Sequence, residues 1–263
     1  MITMDKDLIK EMAKNEKRID NRKFDEFRKI TIEPGYISSA EGSAHVCLGD
    51  TEVVAGVKMD LGEPYPDIPE QGTMMVAVEF VPLASPEFES GPPRENSIEV
   101  SRVVDRAIRE SKMIDFEKLC IIPGEKVWTI FIDIDVINND GNLIDACGIA
   151  AVSALMNAKM PDLDEEGKPI YERKGSRPLP LNEVAVSTTF VKISDKIIAD
   201  PNMQEEEALE ARLTVGTTEK DGKVMLASMQ KGGSCGFTLE EIETIIGMAE
   251  EHGKEIRKTV QMS

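Results

Sequence analysis

A chain of 263 residues with 41% apolar content, 19 glycines and 14 prolines can bury a proper core as one large or two small domains. Its formal net charge of −18 argues against a free-standing nucleic-acid binder, so a polyanion could be met only through a small basic patch. No apolar run has the length of a signal peptide or a membrane span, and the four cysteines are isolated, so a cytoplasmic protein in a reducing compartment is expected.

Residues 4–17 place Leu8, Ile9, Met12 and Ala13 at helical spacing, which predicts a short amphipathic helix. From Arg28 to Ile37, Ser43 to Leu48 and Thr51 to Met59 the chain is rich in β-branched residues, and Gly49-Asp50 supplies a hairpin turn between the last two runs. A Pro-rich loop, Leu61 to Pro69, precedes another strand, Thr73 to Val81. Between Asn96 and Lys112 the residues Val100, Val103, Val104, Ala107 and Ile108 mark one helical face. Strand Val127 to Ile137 sets Ile130, Ile132, Ile134 and Val136 on one side, with Phe131, Asp133 and Asp135 on the other.

The turn Asn138-Asn139-Asp140-Gly141-Asn142 then opens a helix predicted from Leu143 to Lys159, rich in small residues and ended by Pro161. The segments Pro161 to Pro169 and Arg173 to Pro180 read as a linker-like interval. Beyond them come strands Val184 to Ile193, Lys196 to Ala199, Leu213 to Thr217 and Val224 to Met229, the last two joined by the hairpin signal Glu219-Lys220-Asp221-Gly222, then a helix Leu239 to Lys258. Strands and helices in blocks point to an α+β fold.

Three features carry chemistry. Arg102, Arg106 and Arg109 share one helical face, and like charges at this spacing cost about 0.2–0.5 kcal/mol unless something negative meets them. Spacing alone allows Glu99 and Asp105 to neutralise that stripe through Arg102 and Arg109. The turn at Gly141 has the strand-turn-helix order of an anion site, with backbone N–H groups at the positive end of a helix dipole. Its side chains argue the other way, because Leu143 and Ile144 are bulky and Asp145 sets a carboxylate in the first turn, where it can satisfy the helix end and repel phosphate. Acid runs such as Asp133/Asp135 or Glu205 to Glu207 could hold Mg²⁺, but acids are so abundant that pairs arise by chance. His45 and His252 define no catalytic set, and no metal site or cofactor is indicated.

Taken in order, the run Arg18 to Arg28 (RIDNRKFDEFR), the run Gly42 to Val54 (GSAHVCLGDTEVV), the arginine helix and the run Asp133 to Ala146 (DIDVINNDGNLIDA) resemble the RNase PH family. The resemblance is strongest to the non-catalytic RNase PH-like subunits of the archaeal exosome ring. It implies a two-domain RNase PH-like fold, the first domain like the second domain of ribosomal protein S5. The implied division is an N-terminal helix and lead-in over 1–30, domain 1 over 31–165, a linker over 166–183 and domain 2 over 184–263.

Active members of the family degrade RNA from its 3′ end by phosphorolysis. They hold the attacking phosphate in a Gly-Gly-Thr/Ser-Arg turn, where this chain has Gly141-Asn142-Leu143-Ile144-Asp145. They also carry two aspartates six residues apart before a late strand, where this chain has Glu206 and Arg212. The resemblance therefore implies a non-catalytic exosome subunit that shapes a catalytic partner's site within a hetero-hexameric ring of three heterodimers. A cap of RNA-binding subunits is implied on one face, and Arg102, Arg106 and Arg109 become candidates for contact with single-stranded RNA. The alternatives are an active phosphorolytic exoribonuclease with a diverged site and a metal-dependent hydrolase.

Overall fold

The alternating and helical patterns assemble into two sheets with a buried helix between them in the computed structural model, which describes residues 6–263. Helix α1 (Lys6–Lys14) buries Ile9 and Ala13, and the expected first turn at residues 4 and 5 lies outside the described residues. The first sheet uses β1 (Ile30–Pro34), β2 (Gly42–Leu48), β3 (Thr51–Gly62) and β4 (Thr73–Phe80), followed by α2 (Glu95–Glu110). It is completed by β5 (Cys120–Ile122) and β6 (Lys126–Asn138), after which α3 runs from Leu143 to Met156. Its order is β1-β2-β3-β6-β4, with β5 paired to β6, and β4 lies parallel to β6 while the other pairs are antiparallel.

The period of two in β3 and β6 explains which face is dry. Val53, Ala55, Val57 and Met59 lie opposite Val136, Ile134, Ile132 and Ile130, and all eight are buried. Each large apolar side chain so covered contributes about 1.5–3 kcal/mol. Asp133 and Asp135 point to the outer face, as the alternation requires.

Helix α3 is buried from Leu143 through Leu155 because both of its sides are covered, by β2 and β3 on one and by β11 (Val186–Ile193) of the second sheet on the other. Its many alanines allow that close approach. Gly42 meets the same constraint from the sheet side, since a Cβ there would fall 2.3 Å from the Ala154 carbonyl oxygen. The helix stops at Met156, earlier than the predicted Lys159. Asn157 caps it, with Nδ2 donating to the carbonyls of Ser153 and Ser43.

The interval that reads as linker-like is paired in the fold. Strand β7 (Lys159–Met160) pairs with β10 (Arg177–Pro178), and β8 (Asp162–Leu163) with β9 (Pro169–Ile170). Tyr171 donates its hydroxyl to Asp60 and to the Met59 carbonyl, which pins the interval to β3.

The second sheet contains β11 (Val186–Ile193), β12 (Lys196–Ala199), β13 (Ala211–Lys220) and β14 (Lys223–Gly233) in the order β12-β11-β13-β14. The predicted turn is present at Asp221 and Gly222, both at positive φ. A short helix absent from the sequence reading, α4 (Met203–Ala208), starts at an Asn202/Glu205 capping box. The last helix, α5 (Leu239–Met262), buries Ile245, Ala249, Ile256 and Val260. Helix α1 packs on the second sheet's side, where Ile9 and Ala13 join Val191, Ile193, Ile198 and Ala208.

Candidate functional site

Helix α2 turns Val100, Val103, Val104, Ala107 and Ile108 into the core, which leaves Arg102 and Arg106 on the solvent side. Among the described residues neither arginine has an ion-pair partner or a side-chain hydrogen bond. Arg109 differs, because its guanidinium holds both carboxylate oxygens of Asp105, at 3.1 and 2.7 Å, and donates to the Met74 carbonyl at 3.1 Å. Its hydrogen bonds to Asp105 push the pKa of Arg109 further up. Spacing allows Glu99 to meet Arg102, yet it pairs with Arg212 of β13 instead. The neutralisation read from spacing thus forms only for Arg109. An open groove of about 330 Å³ runs along this flank, lined by Val76, Arg102, Asp105, Arg106, Arg109 and Glu110.

At the turn before α3, a backbone N–H that an anion could meet is bonded to an acid of the chain itself. Asn142 sits in the left-handed region at φ 53°, as Asn tolerates, and its backbone N–H donates to the Glu206 carboxylate at 3.0 Å. Asp145 was expected to satisfy the helix end, but Glu206 does so. Asp145 is fully buried and accepts from Asn142 Nδ2, the Thr189 N–H and Thr189 Oγ1, each at 2.8 Å. The Gly141 N–H is bonded to Asn139 Oδ1. A Cβ on Gly141 would fall 2.5 Å from the backbone of Asn202 and Met203, so the start of α4 is clasped directly against the turn.

Electrostatics here are set by burial first. Burial drives the Asp145 carboxyl up to about 7 despite its three donors. Burial likewise raises Glu206 to about 7, against the Asn142 N–H and the nearby cations Arg212 and Arg28. Asp200 goes the other way, since Arg28 outweighs the burial penalty and holds its carboxyl below the usual range. Arg28 donates Nη2 to Asp200 Oδ1 at 2.8 Å and Nη1 to the Asp140 carbonyl at 2.8 Å. Arg18, with a side chain fully buried, holds both oxygens of Glu205 at 2.8 and 2.7 Å. These contacts form a charged seam joining the run Arg18 to Arg28, the Gly141 turn and α4.

Residues on the two sides of the site meet through Arg212. It binds Glu99 of α2 and lends its charge to Glu206, which in turn holds the N-terminus of α3. Its own Nε is buried without a hydrogen-bond partner among the described residues. The position that the family resemblance assigns to a metal-binding carboxylate therefore carries a cation tied to a structural acid.

The other sequence candidates lie elsewhere. Asp133 and Asp135 face outward beside Glu79 of β4, where burial and then that neighbouring acid raise both carboxyls. His45 is half-buried, stacks on Tyr36 at 4.9 Å and bonds Glu52 at 2.7 Å, while His252 lies against Phe27. Cys147 is buried and Cys235 is exposed. No group of three His, Cys, Asp or Glu side chains placed to hold a metal occurs among the described residues. No helix of the described residues is long and apolar enough to cross a membrane. Sequence reasoning missed the seam and the Glu206 contact; only the Asn202-x-x-Glu205 capping signal announced the helix that delivers them.

A two-sheet α+β fold around a buried helix, with a phosphate-type turn ahead of that helix, defines the RNase PH class, and the chain belongs to the 3′ exoribonuclease (RNase PH) family. The model of that family's domain 1 matches residues 26–161 and that of domain 2 matches residues 183–252. The chain is 47% identical to the exosome complex component Rrp42 of Methanothermobacter thermautotrophicus, over 92% of this chain and 89% of that protein. It superimposes with a TM-score of 0.88 on a chain of the Archaeoglobus fulgidus exosome solved with RNA bound to the active site, at 43% identity over 96% of each chain. A chain of an archaeal exosome core gives a TM-score of 0.84 at 39% identity, covering 97% of this chain and 96% of that one.

Proposed function

We propose that the chain is a non-catalytic subunit of an archaeal exosome, a 3′-5′ phosphorolytic RNA-degrading assembly. In this reading it pairs with a catalytic RNase PH-like subunit, and three such heterodimers close a ring that carries RNA-binding cap subunits. The setting is the cytoplasm.

The observation that carries the non-catalytic reading is the occupation of the Gly141 turn by Glu206. A backbone N–H that could cradle phosphate is bonded to the protein's own carboxylate, and no hydroxyl or guanidinium is present in Leu143-Ile144-Asp145. The likeness to Rrp42 proteins and to exosome chains supports the assembly.

The chain's contribution to catalysis is then positional. Arg102 and Arg106, exposed on α2 and without an ion pair among the described residues, would hold phosphates of a single strand while the partner performs the phosphorolysis. Arg109 would act mainly by ordering Asp105 and β4, since its donors are already engaged.

The test follows 5′-labelled RNA with a free 3′ end, with and without inorganic phosphate, using the chain alone and then the chain assembled with its catalytic partner. Phosphate-dependent shortening is expected only from the assembly. Robust phosphate-dependent decay by the chain alone would overturn the reading.

A further inference from the structure

Far along the chain from the arginine helix, at the last turns of α5, lies a buried guanidinium with no hydrogen-bonded carboxylate among the described residues. Arg257 is 4% exposed, and its Nη1 donates to Oγ1 and the carbonyl of Thr217, at 2.9 and 3.3 Å. Its Nε and Nη2 are buried and have no hydrogen-bond partner among the described residues. The nearest carboxylate, Glu219, stands 3.9 Å from Nε with a side chain 42% exposed, too far for a hydrogen bond. Burial is the main influence on Arg257 and lowers its pKa, which Glu219 does not compensate.

The position is built rather than accidental. Gly253 leaves the room that the guanidinium occupies, since a Cβ there would fall 2.6 Å from Thr217 Oγ1 and 3.2 Å from Arg257 Nη1. Arg257 lines a cavity of about 320 Å³ bordered by Lys254 and Lys258 and by Glu183, Glu219 and Asp221.

The unpaired Nε and Nη2 form the edge of a guanidinium that takes a carboxylate or phosphate in bidentate fashion. The surrounding charges decide between them. Three cations meet three acids, so the rim is neutral and a polyanion would press its flanking phosphates against Glu183 and Asp221. A single carboxylate on a protein meets no such repulsion. Leu226, the cross-strand partner of Thr217, lies on the same sheet face, is 47% exposed, and belongs to the edge strand β14. An apolar edge beside a desolvated arginine is the composition of a protein interface centre.

We infer that Arg257 is a docking pocket for a carboxylate side chain of a neighbouring subunit in the assembly. This rests on the reading of the chain as a ring subunit.

The test uses Arg257→Met and Arg257→Lys in the full chain, the second keeping the charge but not the fork. Both are expected to fold with little change in melting temperature and to weaken association with the catalytic partner at least tenfold. In ¹⁵N NMR of the isolated chain, acetate should move the Arg257 Nε–H resonance more than inorganic phosphate at equal concentration. Unchanged association in the Lys variant overturns the inference, as does a response to phosphate with none to acetate. A loss of stability shared by Arg257→Met and Glu219→Gln would also overturn it, by making Glu219 the true partner. Should the parent chain fail to assemble at all, the ring reading fails, while the acetate titration still decides whether the pocket takes a carboxylate.

Discussion

Replacing Arg102 and Arg106 together by alanine removes two exposed guanidinium groups that make no ion pair or side-chain hydrogen bond among the described residues. The fold should not notice, because surface changes away from packed or paired groups usually stay within about 0.5 kcal/mol. RNA binding by the assembled ring should notice in a particular way. Each phosphate neutralised on a single strand contributes about 0.7 to the slope of log K against log salt, so losing two lowers the slope by about 1.4. Between 50 and 200 mM salt the affinity gap between parent and variant should therefore shrink about sevenfold. The assay is fluorescence anisotropy of a labelled, phosphorolysis-resistant single strand across that salt range, with the oligomer checked by light scattering. Arg109→Ala is the internal control, since its donors are held by Asp105 and the Met74 carbonyl; it should cost stability and change the slope less. Parallel salt slopes for the parent and the double variant would refute the assignment of phosphate contacts to these two residues.

Asp145→Asn tests the buried acid. A carboxyl raised to about 7 in the folded chain retains a proton that the unfolded chain has lost, so parent stability falls as pH rises from about 4 to 7. The Asn variant escapes that loss and should gain on the parent across this window by an amount on the order of 3 kcal/mol, measured by urea unfolding. A gain that is independent of pH would contradict it. Glu206→Gln keeps an acceptor for the Asn142 N–H while Glu206→Ala does not; hydrogen exchange at Asn142 should stay slow in the first and accelerate in the second, and neither should gain phosphorolysis. Arg18→Met strands the buried Glu205 and should destabilise by about 3–5 kcal/mol, with partial recovery in the double variant Arg18→Met with Glu205→Leu. Equal stabilities of the two would show that the pair is not the seam's anchor.

Local patterns carried most of the fold. Strand β6 was legible because its apolar face is unbroken at every second position, and the β13–β14 turn because Asp221-Gly222 suits two positive φ values. The end of α3 was misplaced because Ala158 continues the small-residue pattern, whereas Asn157 ends the helix through contacts with Ser43, 114 residues earlier. Helix α4 went unread because its acids resemble ordinary solvated surface, although its capping box was present in the sequence. At the site, the arginine face of α2 followed from helical spacing, but the partners did not. Glu99 finds Arg212 across 113 residues and Arg28 finds Asp200 across 172, and no local rule anticipates which acid a given arginine will meet.

The charged seam also bears on how the molecule opens. Arg18 and Arg28 come from the lead-in, Asp200 from the approach to α4, Glu205 from α4 itself, and Asp140 from the turn before α3, so no one of these segments can lift away without uncovering charges that the others had matched. Helix α3 lies behind that closure with both sides covered. Its amides should consequently exchange only when the whole chain unfolds, making the two sheets a single cooperative unit, with the lead-in as the latch.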